Sequence, residues 1–261
     1  MNKSQLVKIL LPIYRSDLNK FERISLERND KILQAYPRVF IKPASLDISK
    51  LQKEFPDFTV ENFDNECFTS LQHYNQLMMS PEFYQRFCDT EYILICQLDA
   101  YIFKDELTKW CEKGYDYIGA PWIIPLKYHL PFIRQYRNWI RKPGIQKRDN
   151  KVGNGGLSLR KTSSHLKATT ELQDIIRHYA TQTIGHLYNE DVFFAVEVNK
   201  HGMNFSYPTC KEALKFSFDK YPKLCYDRNK HQLPFGCHAW FKEKALKFWS
   251  QIIEFPTGSS L

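Results

Sequence analysis

Four short polar constellations in this 261-residue chain have the residue types and spacing to do chemistry: Gln97-Leu98-Asp99, Gly153-Asn154-Gly155-Gly156, Asn189-Glu190-Asp191, and His238 in the loop Pro234 to Trp240. Asp99 stands where an apolar, β-branched run beginning at Tyr92 stops. A buried strand ending there delivers one carboxylate to the carboxyl edge of a sheet, the place where open α/β sheets bind ligands, so Asp99 is suited to holding a metal ion or a polar substrate. A turn-forming Asp that caps the next segment has the same appearance. Glu190 and Asp191 open a helical pattern, where the macrodipole favours acids whether or not they do chemistry. Three glycines in four positions permit close backbone approach, and a bare G-x-G-G also marks an ordinary bulge or turn.

The elements that must position these groups can be read from periodicity. Val7 to Ile13 reads as a first strand, and Ser16 or Asp17 as the N-cap of a helix carrying Leu18, Phe21, Ile24 and Leu33. Arg38 to Lys42 is a second strand closed by Pro43, giving a β-α-β opening. Apolar residues from Phe68 to Phe87 recur at helical spacing with Pro81 dividing the run, and Asp105 caps a helix that ends at Gly114. Tyr117 to Trp122 forms a short strand and rigid turn, and Leu157 to Arg160 another strand. A helix through Leu166, Leu172, Ile175 and Ile176 follows, then one from Asn189 to Gly202, a strand at Phe205 to Pro208, an apolar segment Ala213 to Asp219, and a final amphipathic helix.

Composition bounds the answer. With 43% hydrophobic and 15% aromatic residues the chain is that of a folded globular protein, long enough to bury a proper core. No linker splits it, so residues 1–261 read as a single domain in which 123–151, with three prolines and many Lys and Arg, is an irregular basic insertion. No apolar run reaches the roughly 18 residues of a spanning helix and no signal-peptide pattern opens the chain, which points to a cytoplasmic location. Seven scattered cysteines without a C-x-x-C pair fit reduced thiols. A formal charge of +8 suggests an anionic partner (a nucleotide, a phospholipid surface or an acidic glycan), with a solvated basic surface as the alternative. Nucleic acid is not an expected partner, and the absence of a G-x-G phosphate loop after Val7 to Ile13 disfavours a nucleotidyltransferase.

Taken in order and with their flanks, the segments QLDAYIF, DYIGAPW, GNGGLSLR, NEDVFF and PFGCHAW resemble the core of GT-A fold glycosyltransferases. More narrowly, from about Leu51 to Trp240 they resemble an uncharacterised bacterial family described only as glycosyltransferase-like. That resemblance implies an α/β fold of the GT-A, Rossmann type: a mixed, mainly parallel sheet flanked by helices. It implies a nucleotide-sugar donor, most simply a UDP-sugar, bound by Gln97, Asp99, Gly153, Gly155 and Gly156. Mn²⁺ or Mg²⁺ would rest on Asp99 and His238, Asp191 would act as the base of an inverting displacement, and Glu190 would orient sugar or loop. Tyr117 and Trp122, beside Pro121, would stack on an acceptor ring or serve as core aromatics. The acceptor would be a glycan or lipid-linked chain of a bacterial surface polysaccharide such as lipopolysaccharide or capsule. The chain departs from the D-x-D pattern in having Gln97 at the first acid, which implies a weaker, wetter metal site or metal-independent catalysis. A catalytically silent nucleotide- or glycan-binding protein on the same fold is the alternative.

Within the insertion, Phe132, Ile133, Tyr136, Trp139 and Ile140 fall on one helical face at 100° per residue, and Arg134, Arg137 and Arg141 fall opposite. Such a helix either packs on the protein's own core or lies on an anionic membrane, which would make the protein peripheral on the membrane's inner face.

Overall fold

The computed structural model describes residues 3–125, 128, 130–140, 148–182 and 187–255. Six strands build the main sheet: β1 (Val7–Pro12), β2 (Arg38–Pro43), β3 (Phe58–Phe63), β4 (Tyr92–Cys96), β6 (Tyr117–Ile118) and β7 (Leu157–Lys161). Their order is β3-β2-β1-β4-β7-β6; the first four are mutually parallel and β7 runs antiparallel to both its neighbours. A smaller sheet of order β5-β9-β8 joins β5 (Tyr101–Ile102), β8 (Ser217–Phe218) and β9 (Gly236–Cys237).

The sheet is buried on both faces, which explains why β1 and β4 read as continuous apolar runs. Ile9, Leu11, Leu94 and Cys96 face one core with Phe40 and Trp110, while Leu10, Ile93 and Ile95 face another with Phe83, Phe193 and Phe194. A third cluster around Trp240 and Trp249 backs the small sheet. The edge strand β3 has no counterpart in the sequence reading because its pattern, FTVENF, is half polar and its middle is partly exposed.

Several boundaries differ from the sequence reading for local reasons. The helix Lys20–Ile32 is capped by Asn19 rather than Ser16 or Asp17. Asn19 Oδ1 accepts from the amides of Phe21 and Glu22, and the Glu22 carboxylate accepts from the Asn19 amide at 2.9 Å. Only Asn19 has a glutamate three residues on, which closes a capping box. Phe205 to Pro208 is not a strand: Asp116 donates its amide to Ser206 O, but the Ser206 amide donates to the Asp116 carboxylate at 2.8 Å, so a side chain replaces the next ladder rung. The segment Ala213 to Asp219 divides into the end of the helix Cys210–Phe216 and β8. Pro81 opens the second of two helices, Leu71–Met78 and Pro81–Gln85, as its fixed φ allows. The run opened by Asn189 is helical to Gly202, but its middle, Phe193–Glu197, is a π-helix, a wide turn that recurs at functional sites.

Asn29, buried on the helix Lys20–Ile32, fixes the chain just past β4. Its Nδ2 donates to Ala100 O at 2.8 Å and its Oδ1 accepts from the Ile102 amide at 2.8 Å, holding the turn that carries Asp99. Replacing it by Ala leaves two buried backbone groups without partners. Asn29→Ala is expected to cost about 2–4 kcal/mol in urea unfolding; a loss under about 0.5 kcal/mol would show that water reaches this turn.

Candidate active site

The carboxyl ends of β1 and β4 open into a cleft of about 520 Å³ lined by Tyr14, Arg15, Phe68, Tyr74, Asp99 and Phe241, among others. Gln97 and Asp99 form its floor, because the β4–β7 ladder continues past the strand: the Gln97 amide donates to Gly156 O at 2.8 Å. One hydrogen bond therefore joins the Gln97-x-Asp99 segment to the glycine loop.

His238, brought in at the end of β9, completes the constellation. Its Nε2 lies 2.9 Å from Asp99 Oδ1 and 3.3 Å from Gln97 Oε1. Its Nδ1 lies 3.2 Å from Asp219 Oδ1 and 3.1 Å from the side-chain Nδ2 of Asn154. Burial acts to lower the His238 pKa, but Asp99 and then Asp219 overcome it, raising the imidazole to about 10. Asp99 shows the converse: burial acts to raise its pKa, and the His238 charge and hydrogen bond, with Lys242 behind, hold the carboxyl below its ordinary value. Asp99 and Asp219 thus flank the imidazole at its two nitrogens.

The donor set fits a hard divalent cation. A carboxylate oxygen, a carboxamide oxygen and an imidazole nitrogen converge, and their separations are close to the roughly 3 Å between adjacent ligands of an octahedral ion bound at about 2.1 Å. Asp219 supplies the carboxylate that fixes the tautomer of a metal-binding histidine through its other ring nitrogen. No group of three or more His, Cys, Asp or Glu side chains gathers as a metal site among the described residues, so the third donor here is the amide Gln97.

The loop glycines make room for the protein's own side chains. A Cβ on Gly153 would lie 2.1 Å from the Trp122 ring, one on Gly155 1.8 Å from Glu190 Oε1, and one on Gly156 2.0 Å from His238 Nε2. The space that the sequence reading left for a sugar is thus filled by Trp122, Glu190 and His238. Between the glycines, Asn154 takes a left-handed φ of 72° and its Oδ1 accepts from the amides of Gly156 and Leu157, an Asx turn that aims the loop.

Glu190 is buried and pairs with the fully buried Arg160 at 3.0 Å. Arg160 also donates to Tyr84 and Ser158, so Glu190 is clamped to β7 and is unsuited to moving with a substrate. Asp191, one residue on, is half-buried, and its Oδ1 is shielded from water with no hydrogen-bond partner. Burial first, then the neighbouring Glu190 charge, push its carboxyl up to about 7. Among the proposed site residues Tyr117 is corrected: it is fully buried, its hydroxyl donates to Asn154 O at 3.2 Å, and its ring packs on His165, so it belongs to the core and cannot stack on an acceptor. Trp122 is partly exposed, with the Arg148 guanidinium 5.3 Å from its ring.

Sequence reasoning missed Asp219, Asn29 and the cleft wall of Tyr14, Arg15 and Tyr74. Asp219 carried a usable signal, since like Asp99 it is the acid at which an apolar run stops. Tyr14 and Arg15 lie in the turn after β1, beside the strand that ends next to Asp99.

A family model described as "Protein of unknown function (DUF5672)" matches residues 57–238. The chain belongs to that family. No curated protein is similar enough in sequence to match. Among solved structures, the chain is similar to apo mouse xyloside xylosyltransferase 1, with 12% identity and a TM-score of 0.53 over 88% of this chain and 96% of that one. It is similar to the galactosyltransferase LgtC in complex with donor and acceptor sugar analogs, with 10% identity and a TM-score of 0.50 over 96% and 98% of the two chains. The apo glycosyltransferase GlyE of Streptococcus pneumoniae gives 11% identity and a TM-score of 0.51 over 98% of this chain and 66% of that one. At such identities the likeness establishes the fold, which is that of the GT-A glycosyltransferases.

If Gly156 exists to admit the His238 ring, a methyl group there displaces it. Gly156→Ala is expected to keep the native circular dichroism yet lose the downfield ring N–H proton signals of a histidine held between two carboxylates. Unchanged histidine resonances would show that the loop yields instead.

Proposed function

We propose that the protein transfers a sugar from a nucleotide-sugar donor to an acceptor hydroxyl. The observation that carries this reading is the convergence of Asp99 Oδ1, Gln97 Oε1 and His238 Nε2 beside a cleft at the carboxyl edge of the sheet. The aromatic wall of Tyr14, Phe68 and Tyr74 suits a nucleobase, and Arg15 suits a phosphate. Mn²⁺ or Mg²⁺ held by Asp99 and His238, with Gln97 beside them, would stabilise the charge that develops on the diphosphate leaving group. Asp219 keeps the imidazole oriented. Asp191, with a pKa near working pH and an unpartnered oxygen, takes the acceptor proton, while Glu190 and Arg160 hold it in place. Direct attack by that hydroxyl inverts the anomeric centre. UDP as the donor nucleotide, and a glycan or lipid-linked chain of a bacterial surface polysaccharide as acceptor, follow the family resemblance.

A thermal-shift screen of nucleotides and nucleotide sugars with and without Mn²⁺ tests the donor directly, since a ligand present at 100 times its Kd raises the Tm by roughly 5–10 °C. Failure of every nucleotide to bind would overturn the reading, and binding without hydrolysis or transfer would favour a silent nucleotide-binding protein. Asp99→Ala is expected to abolish transfer with native circular dichroism and a lowered Tm, because His238 loses its closest carboxylate; full activity would remove Asp99 from the mechanism.

Asp191→Asn is expected to bind donor nearly normally while kcat falls by about 10²-fold or more. Because folding raises the Asp191 pKa from 3.8 to about 7, the native state binds the extra proton between those values. Stability conferred by this group is therefore present below pH 3.8 and lost as pH rises through 7, whereas activity rises over the upper part of that range as the base ionises. At pH 8 Asp191→Asn should melt higher than wild type, and the wild-type pH–rate profile should show an acidic limb near 7. A lower melting point would mark Asp191 as a structural cap, and retained anomeric configuration would rule out its role as base of a single displacement.

A further inference from the structure

The insertion between β6 and β7 contains a helix, Pro131–Ile140, that holds three aromatic side chains out of the core. Phe132 is 85% exposed, Trp139 79%, Tyr136 59% and the preceding Leu130 56%. Phe132, Tyr136 and Trp139 lie within about 60° of one another around the helix axis at 100° per residue. For these three aromatics the expectation of packing on the core is not met. Three large aromatic residues on one short helix, when the rest of the aromatic complement is mostly buried, form a contact surface.

Charge identifies what that surface fits. Residues 123–151 hold eight Lys and Arg and a single acid, Asp149, so this segment carries seven of the chain's eight net positive charges and the remainder of the protein is nearly neutral. An aromatic stripe within a strongly basic segment complements a surface that is apolar within and anionic at its boundary. Trp and Tyr settle at that boundary, and Lys and Arg meet the lipid phosphates.

Placement makes the contact useful. The segment leaves and returns at one point: the Trp122 amide donates to Lys151 O at 2.9 Å, the Asn150 amide donates to Trp122 O at 3.0 Å, and Pro121 bridges Val152. Gly153, the next residue, lies against the Trp122 ring and opens the glycine loop whose Gly156 is bonded to Gln97. Arg228 holds the outgoing limb by donating to Ile124 O at 3.0 Å. We propose that the helix Pro131–Ile140 docks the protein on an anionic lipid surface and thereby turns the Trp122–Gly153 end of the glycine loop towards that surface.

Binding to vesicles requires neither donor nor acceptor, so its outcome is independent of the transfer reaction. The test is co-sedimentation of the full chain with phosphatidylcholine vesicles and with vesicles containing 30% phosphatidylserine, at low and high salt. Three proteins are compared: wild type, Phe132→Ser/Trp139→Ser, and Arg134→Gln/Arg137→Gln/Arg141→Gln. Wild type is expected to sediment with the anionic vesicles only, and to be released by high salt. Each charge removed should weaken partitioning about fivefold, hence on the order of a hundredfold for the three arginines. The aromatic variant should lose binding at unchanged Tm, because neither side chain is packed. Wild type that ignores anionic vesicles at low salt overturns the proposal. So does an aromatic variant whose Tm falls by several degrees, which would place the face in the core. A wild-type dimer that fails to sediment and is dissociated by the aromatic substitutions would make the face a contact between two copies, and equally overturns it.

Discussion

The fully buried guanidinium of Arg160 constrains the rest of the site. It sits on β7 with no exposure to water, and such a charge is retained only when answered by an opposite one at close range. Glu190 answers it at 3.0 Å, and Tyr84 and Ser158 accept two further N–H bonds. The pair ties the start of the Asn189-Glu190-Asp191 helix to the sheet, and it forces Gly155 to be a glycine because the Glu190 carboxylate occupies the volume of a Cβ. It also loads Asp191 with a neighbouring negative charge in a place where water is scarce, which drives that carboxyl towards neutrality. A structural ion pair and a tuned acid thus come from one arrangement. The cost of breaking such a pair, about 3–5 kcal/mol, holds Glu190 in place, whereas Asp191 has no such partner at its Oδ1.

The loop Gly153 to Gly156 distributes this constraint. It receives Trp122, Glu190 and His238 at successive glycines, and it is bonded to Gln97 through Gly156 O. Four distant parts of the chain therefore meet across four residues, and the Asx turn of Asn154 fixes their mutual orientation. On the other side of His238, Asp219 and Asp99 hold the ring at both nitrogens. The imidazole is oriented by protein alone, which lowers the ordering cost of receiving a ligand at Nε2.

The sequence by itself determined the central strands of the sheet and several residues of the candidate site. The continuous apolar runs of β1, β2 and β4 were legible because a strand buried on both faces has few alternatives, and Asp99 was legible because it interrupts one. Glu190, Asp191, the glycines and His238 could be named as polar constellations, and their order carried the resemblance to GT-A fold glycosyltransferases that the fold bears out. The helix in the insertion was legible from its 100° periodicity, but its exposure was not, since an apolar stripe looks the same whether covered or bare.

Only the tertiary structure decided what each residue faces. Tyr117 and Trp122 flank the same Pro121, yet one is sealed in the core and the other stands over Gly153, a difference set by β6 pairing with β7 rather than by local composition. Asn29 and Asp219 act through partners more than 70 and 19 positions away, at separations no spacing rule reaches. The glycines were readable as close approaches, but not what approaches them. The pKa of Asp191 depends on burial and on Arg160, Arg148 and Glu190 together, and so exists only in the folded chain. Periodicity records which side of an element is apolar; charge, burial and hydrogen bonding between elements are properties of distance, and distance is set only when the chain closes on itself.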